Sequence, residues 1–398
     1  MEVRTDEEAG PGPLGEANLG TRFLVYPQAP HVPGYATPEL VWIMTDPSGI
    51  QPGPADDRIY VSDPALDKDP YEFPYLPPFA GAAFPPAEPG PDGHFDHLDP
   101  SSRQFVSAHA YAAVRRVIDI WESYLGRRIG WHFADTYERL EIIPWLNWEN
   151  AQSGYGFLEL GVEHAPDGND YPFALNFDTI AHEVGHSIQF SLFGVPEGDV
   201  GNSDFGPFHE ASADLVSLLS FLHFDTGVDR LLRRCQGNLL SLNELNRIVE
   251  LTGERQLRLA SNARKLSEVT HEIHDRSRPF TGAVFDAAVE TFHRILVEND
   301  LADERLLAID LRDVDESVLD RITEFTSAAF KARPFLFKSA LVEARDQVGI
   351  VLARTWDRVD PSSLTFASAA LTMVEAADEE DAELATCLED CFAWREIL

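Results

Sequence analysis

An α+β fold is predicted for this chain, with a strand-rich N-terminal half and a mainly helical C-terminal half, on three observations. Before residue 100 the apolar residues come in short runs separated by proline and turn pairs. From Ser102 the apolar positions change to helical spacing. After about residue 280 that spacing dominates to the C-terminus.

Each element follows from its local pattern. Phe23 to Tyr26, Leu40 to Met44 and Ile59 to Val61 read as strands between loops, and Tyr71 to Pro100, dense in turn formers and aromatics, reads as an ordered but irregular wrap. Phe105, Ala108, Ala112, Val117, Ile120 and Trp121 line one side of a helix that Gly126 ends. Leu140 to Ile143 and Gly156 to Val162 read as strands again. A helix is expected from about Asp178 to Phe193, a loop from Gly194 to Pro207, and a second helix from about Phe208 to Phe224.

Composition narrows the class. With 398 residues, 44% of them hydrophobic, the chain is long enough for two packed lobes. A formal net charge of −36 argues against nucleic acid as a partner, because binding phosphates needs clustered Lys and Arg. The same charge favours a monomer. No membrane span is expected: the apolar run Leu215 to Phe224 is broken by Ser217, Ser220 and His223 and falls well short of the ~20 residues needed. The first residues are acidic and Gly/Pro-rich, with no export signal, so a disordered tail and a cytoplasmic location are expected. Cys235, Cys387 and Cys391 form no spaced framework, which suggests reduced thiols. Cys387 and Cys391, four apart, would share a helical face and read first as two small core residues, ahead of a disulfide or a metal site.

The central chemical feature is His182-Glu183-Val184-Gly185-His186. Residues four apart on a helix lie on one face, so two imidazoles can reach one ion, and Glu183 beside them can take a proton from a water there. Gly185 costs helix stability relative to alanine and would admit a close neighbour. A catalytic zinc site needs a third protein ligand. A histidine placed as in metzincins is excluded, because Gln189 and Leu192 stand at the diagnostic positions. Downstream, Glu210 and Asp214 are also four apart; one can ligate and the other can accept the far N–H of a ligating histidine.

These two helices together resemble those of the thermolysin-like gluzincins, whose two-histidine helix is followed by a Glu-Ala-x-x-Asp helix. The resemblance extends over about residues 90 to 295. Asp178 stands four residues before His182, and Ala108-His109-Ala110 has its counterpart. Asn150-Ala151 before a glycine-bearing strand resembles the edge strand that holds an extended peptide. Leu257-Arg258, with Ser261-Asn262 after it, resembles the segment whose arginine binds the substrate carbonyl. His274-Asp275-Arg276-Ser277 resembles the His-x-x-Ser segment whose histidine stabilises an oxyanion, and that spacing favours His274 over His271.

The resemblance implies a zinc-dependent endopeptidase acting on a peptide or protein substrate. One zinc would be held by His182, His186 and Glu210, with Glu183 as the base and Asp214 orienting His182. His274 and Arg258 would stabilise the oxyanion, Asn150 and Ala151 would hold the substrate backbone, and Leu257 would help line an apolar pocket. It also implies a layout: a tail over 1–20, a β-rich lobe over 21–190 ending in the zinc-binding helix, a helical lobe over 191–398, and the active site between the lobes. Two departures stand out. Phe221 occupies the position of an acid in the family's paired calcium site, so calcium is not expected as a second cofactor, with Asp178 alone left to support a partial site. No tyrosine stands in Gly201 to Pro207 to assist the oxyanion. The competing readings are a non-catalytic metal-binding or interaction protein on a peptidase scaffold, and a zinc hydrolase acting on an amide outside proteins.

Overall fold

The computed structural model describes residues 20–164, 168–196, 204–241, 260–312 and 314–398, together with the backbone of 248–249 and 257–258. The tail expected over 1–20 lies outside the described residues up to position 19. The architecture is α+β. Strand β1 (Thr21–Val25) pairs antiparallel with β2 (Glu39–Ile43). Helix α1 (Arg103–Leu125) starts where the Ser102 hydroxyl accepts the Phe105 N–H, and ends at Gly126, whose φ of 64° suits a residue without a side chain. Most of α1 is buried, and Trp121 packs on Trp356 with ring centroids 4.6 Å apart.

The main sheet combines β3 (Ile59–Val61), β4 (Leu140–Ile143), β5 (Ala151–Gly154) and β6 (Phe157–Leu160) in the order β3-β4-β6-β5. The first three neighbours run parallel, and β5 is antiparallel at one edge. The pleat sends alternate side chains to opposite faces. Leu140, Ile142, Leu158 and Leu160 join the main core, while Ile143 and Phe157 pack with Tyr71 in a smaller cluster. On that second face two carboxylates are buried, with partners from Lys68, the irregular wrap and β5. Glu159 accepts from Lys68, from the Tyr71 N–H at 2.8 Å and from Gln152 at 2.6 Å, and Glu141 accepts the Tyr71 hydroxyl at 2.7 Å. The Gln152 bond fixes β5 to the sheet from its side-chain face as well as its backbone.

The strand expected over 156–162 stops at Leu160. Gly161 runs so close to the preceding loop that a Cβ there would lie 1.8 Å from the Trp148 carbonyl oxygen. The chain then forms a separate hairpin, β7 (Val162–His164) with β8 (Asp170–Pro172).

Helix α2 (Phe177–Phe193) is capped by Asn176, whose side chain accepts the Asp178 N–H. Helix α3 (Phe205–Phe221) lies against it in the most extensive helix–helix contact among the described residues. Gly185 permits this: a Cβ at that position would meet the Ala213 Cα at 3.1 Å and the Val216 Cβ at 3.2 Å. The far side of α3 is held by two indole N–H groups, Trp121 to the Ser220 hydroxyl and Trp356 to the Ser212 hydroxyl. Helix α3 begins three residues before the expected Phe208, and α4 (Asp225–Cys235) follows it as an unforeseen helix.

Beyond the short pair β9 (Ile248–Val249) and β10 (Leu257–Arg258), helix α5 (Ile273–Glu298) starts ahead of the expected residue 280 and carries Pro279 within it. The Glu272 carboxylate caps it by accepting the Asp275 N–H. Helices α6 (Glu316–Ala332), α7 (Pro334–Trp356), α8 (Phe366–Asp378) and α9 (Ala382–Trp394) complete the helical half. One apolar cluster runs through both halves, from Phe23 to Ile397. None of the described helices is long and apolar enough to cross a membrane.

Candidate metal centre

Helices α2 and α3 bring His182, His186 and Glu210 together, with one donor atom of each within 4.8 Å of the others. The two imidazole Nε2 atoms are 3.2 Å apart. Glu210 places Oε2 at 3.4 Å from the His182 Nε2 and Oε1 at 3.6 Å from the His186 Nε2. Four ligands around zinc at about 2.0–2.2 Å form a tetrahedron with edges of about 3.3–3.6 Å. The spacing of the two imidazole nitrogens therefore fits one edge of such a tetrahedron, Glu210 offers a different oxygen to each ring, and a donor set of two nitrogens and a carboxylate is one that zinc accepts.

Each histidine is held from behind. The His182 Nδ1–H points at Asp214 Oδ1, 3.1 Å away on the next turn of α3. The partner of His186 is a residue to which the sequence reading gave no role: His209, whose Nδ1 lies 2.6 Å from the His186 Nδ1, with the rings stacked at 2°. With Nε2 of His186 turned to the other donors, its proton sits on Nδ1 and is donated to His209. His209 then keeps its own proton on Nε2, a buried atom with no hydrogen-bond partner among the described residues. Phe190, Phe193 and Phe205 surround that ring. Burial, with His186 beside it, pushes the His209 pKa well below the ordinary imidazole value, so it stands as a neutral acceptor.

His274 completes the cluster from the first turn of α5. Its Nε2 lies 3.6 Å from Glu210 Oε2, and its Nδ1 lies 2.6 Å from the Glu272 carboxylate. Burial works against ionisation of Glu272, but the backbone N–H groups of Asp275 and His274, together with the imidazole, hold its carboxyl below the usual range. His271 is exposed. Asp204, at the head of α3, accepts from the Arg276 side chain at 2.8 Å and from the Phe366 N–H at 2.9 Å, so the starts of α3, α5 and α8 are tied at one point. Glu183 lies half-buried on α2 beside His182.

The remaining predicted residues divide. Asn150 and Ala151 lead into β5, which borders α2 through a 2.7 Å contact between the Ser153 and Ser187 hydroxyls. Apart from β6, β5 pairs with no strand among the described residues. The side chains of Leu257 and Arg258 lie outside the described residues, as do positions 201–203. Asp178 accepts from the Gln28 amide, and Phe221 is buried in the core.

No family model matches the chain, and no curated protein matches it. Among solved structures it is similar to the precursor of protealysin, a metalloproteinase from Serratia proteamaculans, at 12% identity and a TM-score of 0.48, over 88% of this chain and 90% of that one.

Proposed function

We propose that the chain is a zinc-dependent endopeptidase with its active site between the strand-rich and helical halves. The observation that carries this is the convergence of His182, His186 and Glu210: the two imidazole Nε2 atoms lie 3.2 Å apart, near the edge of a zinc tetrahedron, with one Glu210 oxygen 3.4 Å from the first and the other 3.6 Å from the second. His182, His186 and Glu210 would hold one zinc. When bound, zinc lowers the pKa of a water and polarises a carbonyl.

The chain's own groups do the rest. Glu183, flanking His182 on the same helix, takes the proton of the attacking water and returns it to the leaving amine. His274, aligned through Nδ1 by Glu272, presents Nε2 beside Glu210, where it can donate to a developing oxyanion. Asp214 and His209 fix the tautomers of the two ligating histidines. The edge of β5 away from β6 offers backbone groups to an extended peptide, with Asn150 and Ala151 at its start. Arg258 is assigned to the substrate carbonyl on the sequence resemblance.

The test is direct. The purified protein should cleave a library of unstructured peptides, lose that activity to a chelator and regain it with zinc. Glu183→Gln should keep its metal and lose about 10²–10⁴-fold in turnover. Metal at the centre of the unmutated protein, with every peptide left intact, would instead mark a metal-binding scaffold without catalysis.

A further inference from the structure

A second group of ligating side chains converges elsewhere among the described residues. Glu290 on α5 and Cys387 and Cys391 on α9 bring their donor atoms within 4.8 Å of one another. The spacing of four puts both thiols on one face of α9. The Cys387 Sγ donates to Glu290 Oε2 at 3.1 Å, and Cys391 is fully buried behind it. One turn along α5 from Glu290 stands His293, only 2% exposed. It lines the same cavity as Glu290 and Cys387, a space of about 350 Å³, and its Nε2 has no hydrogen-bond partner among the described residues. Burial lowers the His293 pKa to about 4, so the ring is neutral at physiological pH.

We infer that Glu290, Cys387 and Cys391 form a second metal site, for zinc or a similar thiophilic divalent ion, with His293 on the wall of the adjoining cavity, outside the set of converging donors. The donor set decides the class: two sulfurs and a carboxylate suit zinc, whereas calcium and magnesium take oxygen alone. Binding releases the two thiol protons to solvent and leaves the carboxylate ionised. Two thiolates, a carboxylate and a divalent ion sum to a single negative charge. The Arg312 guanidinium, which also pairs with Asp310, acts on both Glu290 and Cys391 against that charge, while Asp310 and Asp390 add to it. The cavity supplies the entry path. The site would staple α9 to α5, whose first turn carries His274, and would reinforce the buried Arg395–Asp286 pair that already joins the C-terminal segment to α5.

The test reads sulfur, which the His182/His186/Glu210 centre lacks. The full chain, purified under reducing conditions and loaded with cobalt(II), should show a near-ultraviolet thiolate-to-cobalt charge-transfer band. The band should survive His182→Ala/His186→Ala and vanish in Cys387→Ser/Cys391→Ser, with one equivalent of metal lost in each case. If the double cysteine variant does not fold, the unmutated protein serves: an organomercurial titrated into it should release one equivalent of zinc as the thiols react. No charge-transfer band, a band that persists without Cys387 and Cys391, or a Cys387–Cys391 disulfide in the freshly purified reduced protein would overturn the assignment. None of these readouts needs peptidase activity, so the two sites stand or fall separately.

Discussion

The two clusters of donors differ in what holds them before any ion arrives. At the α2–α3 centre each of the two histidines is braced by a group outside the candidate donor set, Asp214 behind His182 and His209 behind His186. At the α5–α9 cluster the candidate ligands are bonded to each other, the Cys387 thiol to the Glu290 carboxylate. The first arrangement is held from outside, so the contacts that orient the two rings stay in place when the close contacts among the donors give way to a metal. The second must exchange a proton-bridged pair for the ion. Bracing from behind suits a centre that must keep its geometry through a reaction, and mutual bonding suits a clamp that closes once.

That contrast can be broken at its strongest point first. Removing His274, which touches the centre and is aligned by Glu272, should lower turnover by about 10²–10³-fold in a His274→Ala variant and leave metal content and KM nearly unchanged. Next come the braces. Asp214→Ala and His209→Ala should each weaken metal affinity by about 10–100-fold, read by competition with a chromogenic chelator. His209→Asn, which keeps a side-chain acceptor, should recover part of that loss; equal weakening by Asn and Ala would deny the hydrogen bond its role.

A smaller effect is expected at Gly185. Alanine gains about 1 kcal/mol of helix propensity, while its Cβ must displace Ala213 and Val216, which costs about 1–3 kcal/mol. Thermal unfolding should therefore shift by a few degrees at most. Metal affinity should fall more clearly, because the added methyl pushes Glu210's helix away from the two histidines. The smallest effect concerns imidazoles that belong to neither cluster. Burial lowers the pKa of His109 to about 4 and that of His223 to about 2. Unfolded, both titrate near 6.5. Below that pH the unfolded chain binds more protons than the folded one, so stability is lost as pH falls. Each buried imidazole contributes up to about a tenfold change in the folding equilibrium per pH unit. Denaturant midpoints at pH 7 and pH 5 should show the decline, and His109→Gln should make it shallower.

The contrast also explains which features the sequence disclosed. His182 and His186, like Glu210 and Asp214, sit at helical spacing inside a single element, where periodicity alone puts side chains on one face. His209 had no such signal. It neighbours Glu210 in sequence, yet it turns to stack on a ring 23 residues earlier, and only the packing of α3 on α2 shows this. Glu290 and Cys387 lie 97 residues apart and were equally invisible as a pair. Among the elements, the strands at Ile59 and Leu140 and the helix ending at Gly126 followed from local pattern. The break at Gly161 did not, because it is set by the Trp148 carbonyl across the loop. The early start of α5 was hidden by Pro279, which local rules read as a boundary and the Glu272 cap overrides.

The edge of β5 away from β6, which pairs with no strand among the described residues, carries a consequence for how a substrate would be discriminated. Backbone groups along a strand edge recur every second residue, about 7 Å apart. A chain laid there is sorted by phase before it is sorted by side chain. The Ser153–Ser187 contact fixes that phase relative to the helix bearing His182 and His186. Peptides carrying N-methyl groups at successive positions should therefore alternate between cleaved and resistant, a two-residue beat that no change of side chain would erase.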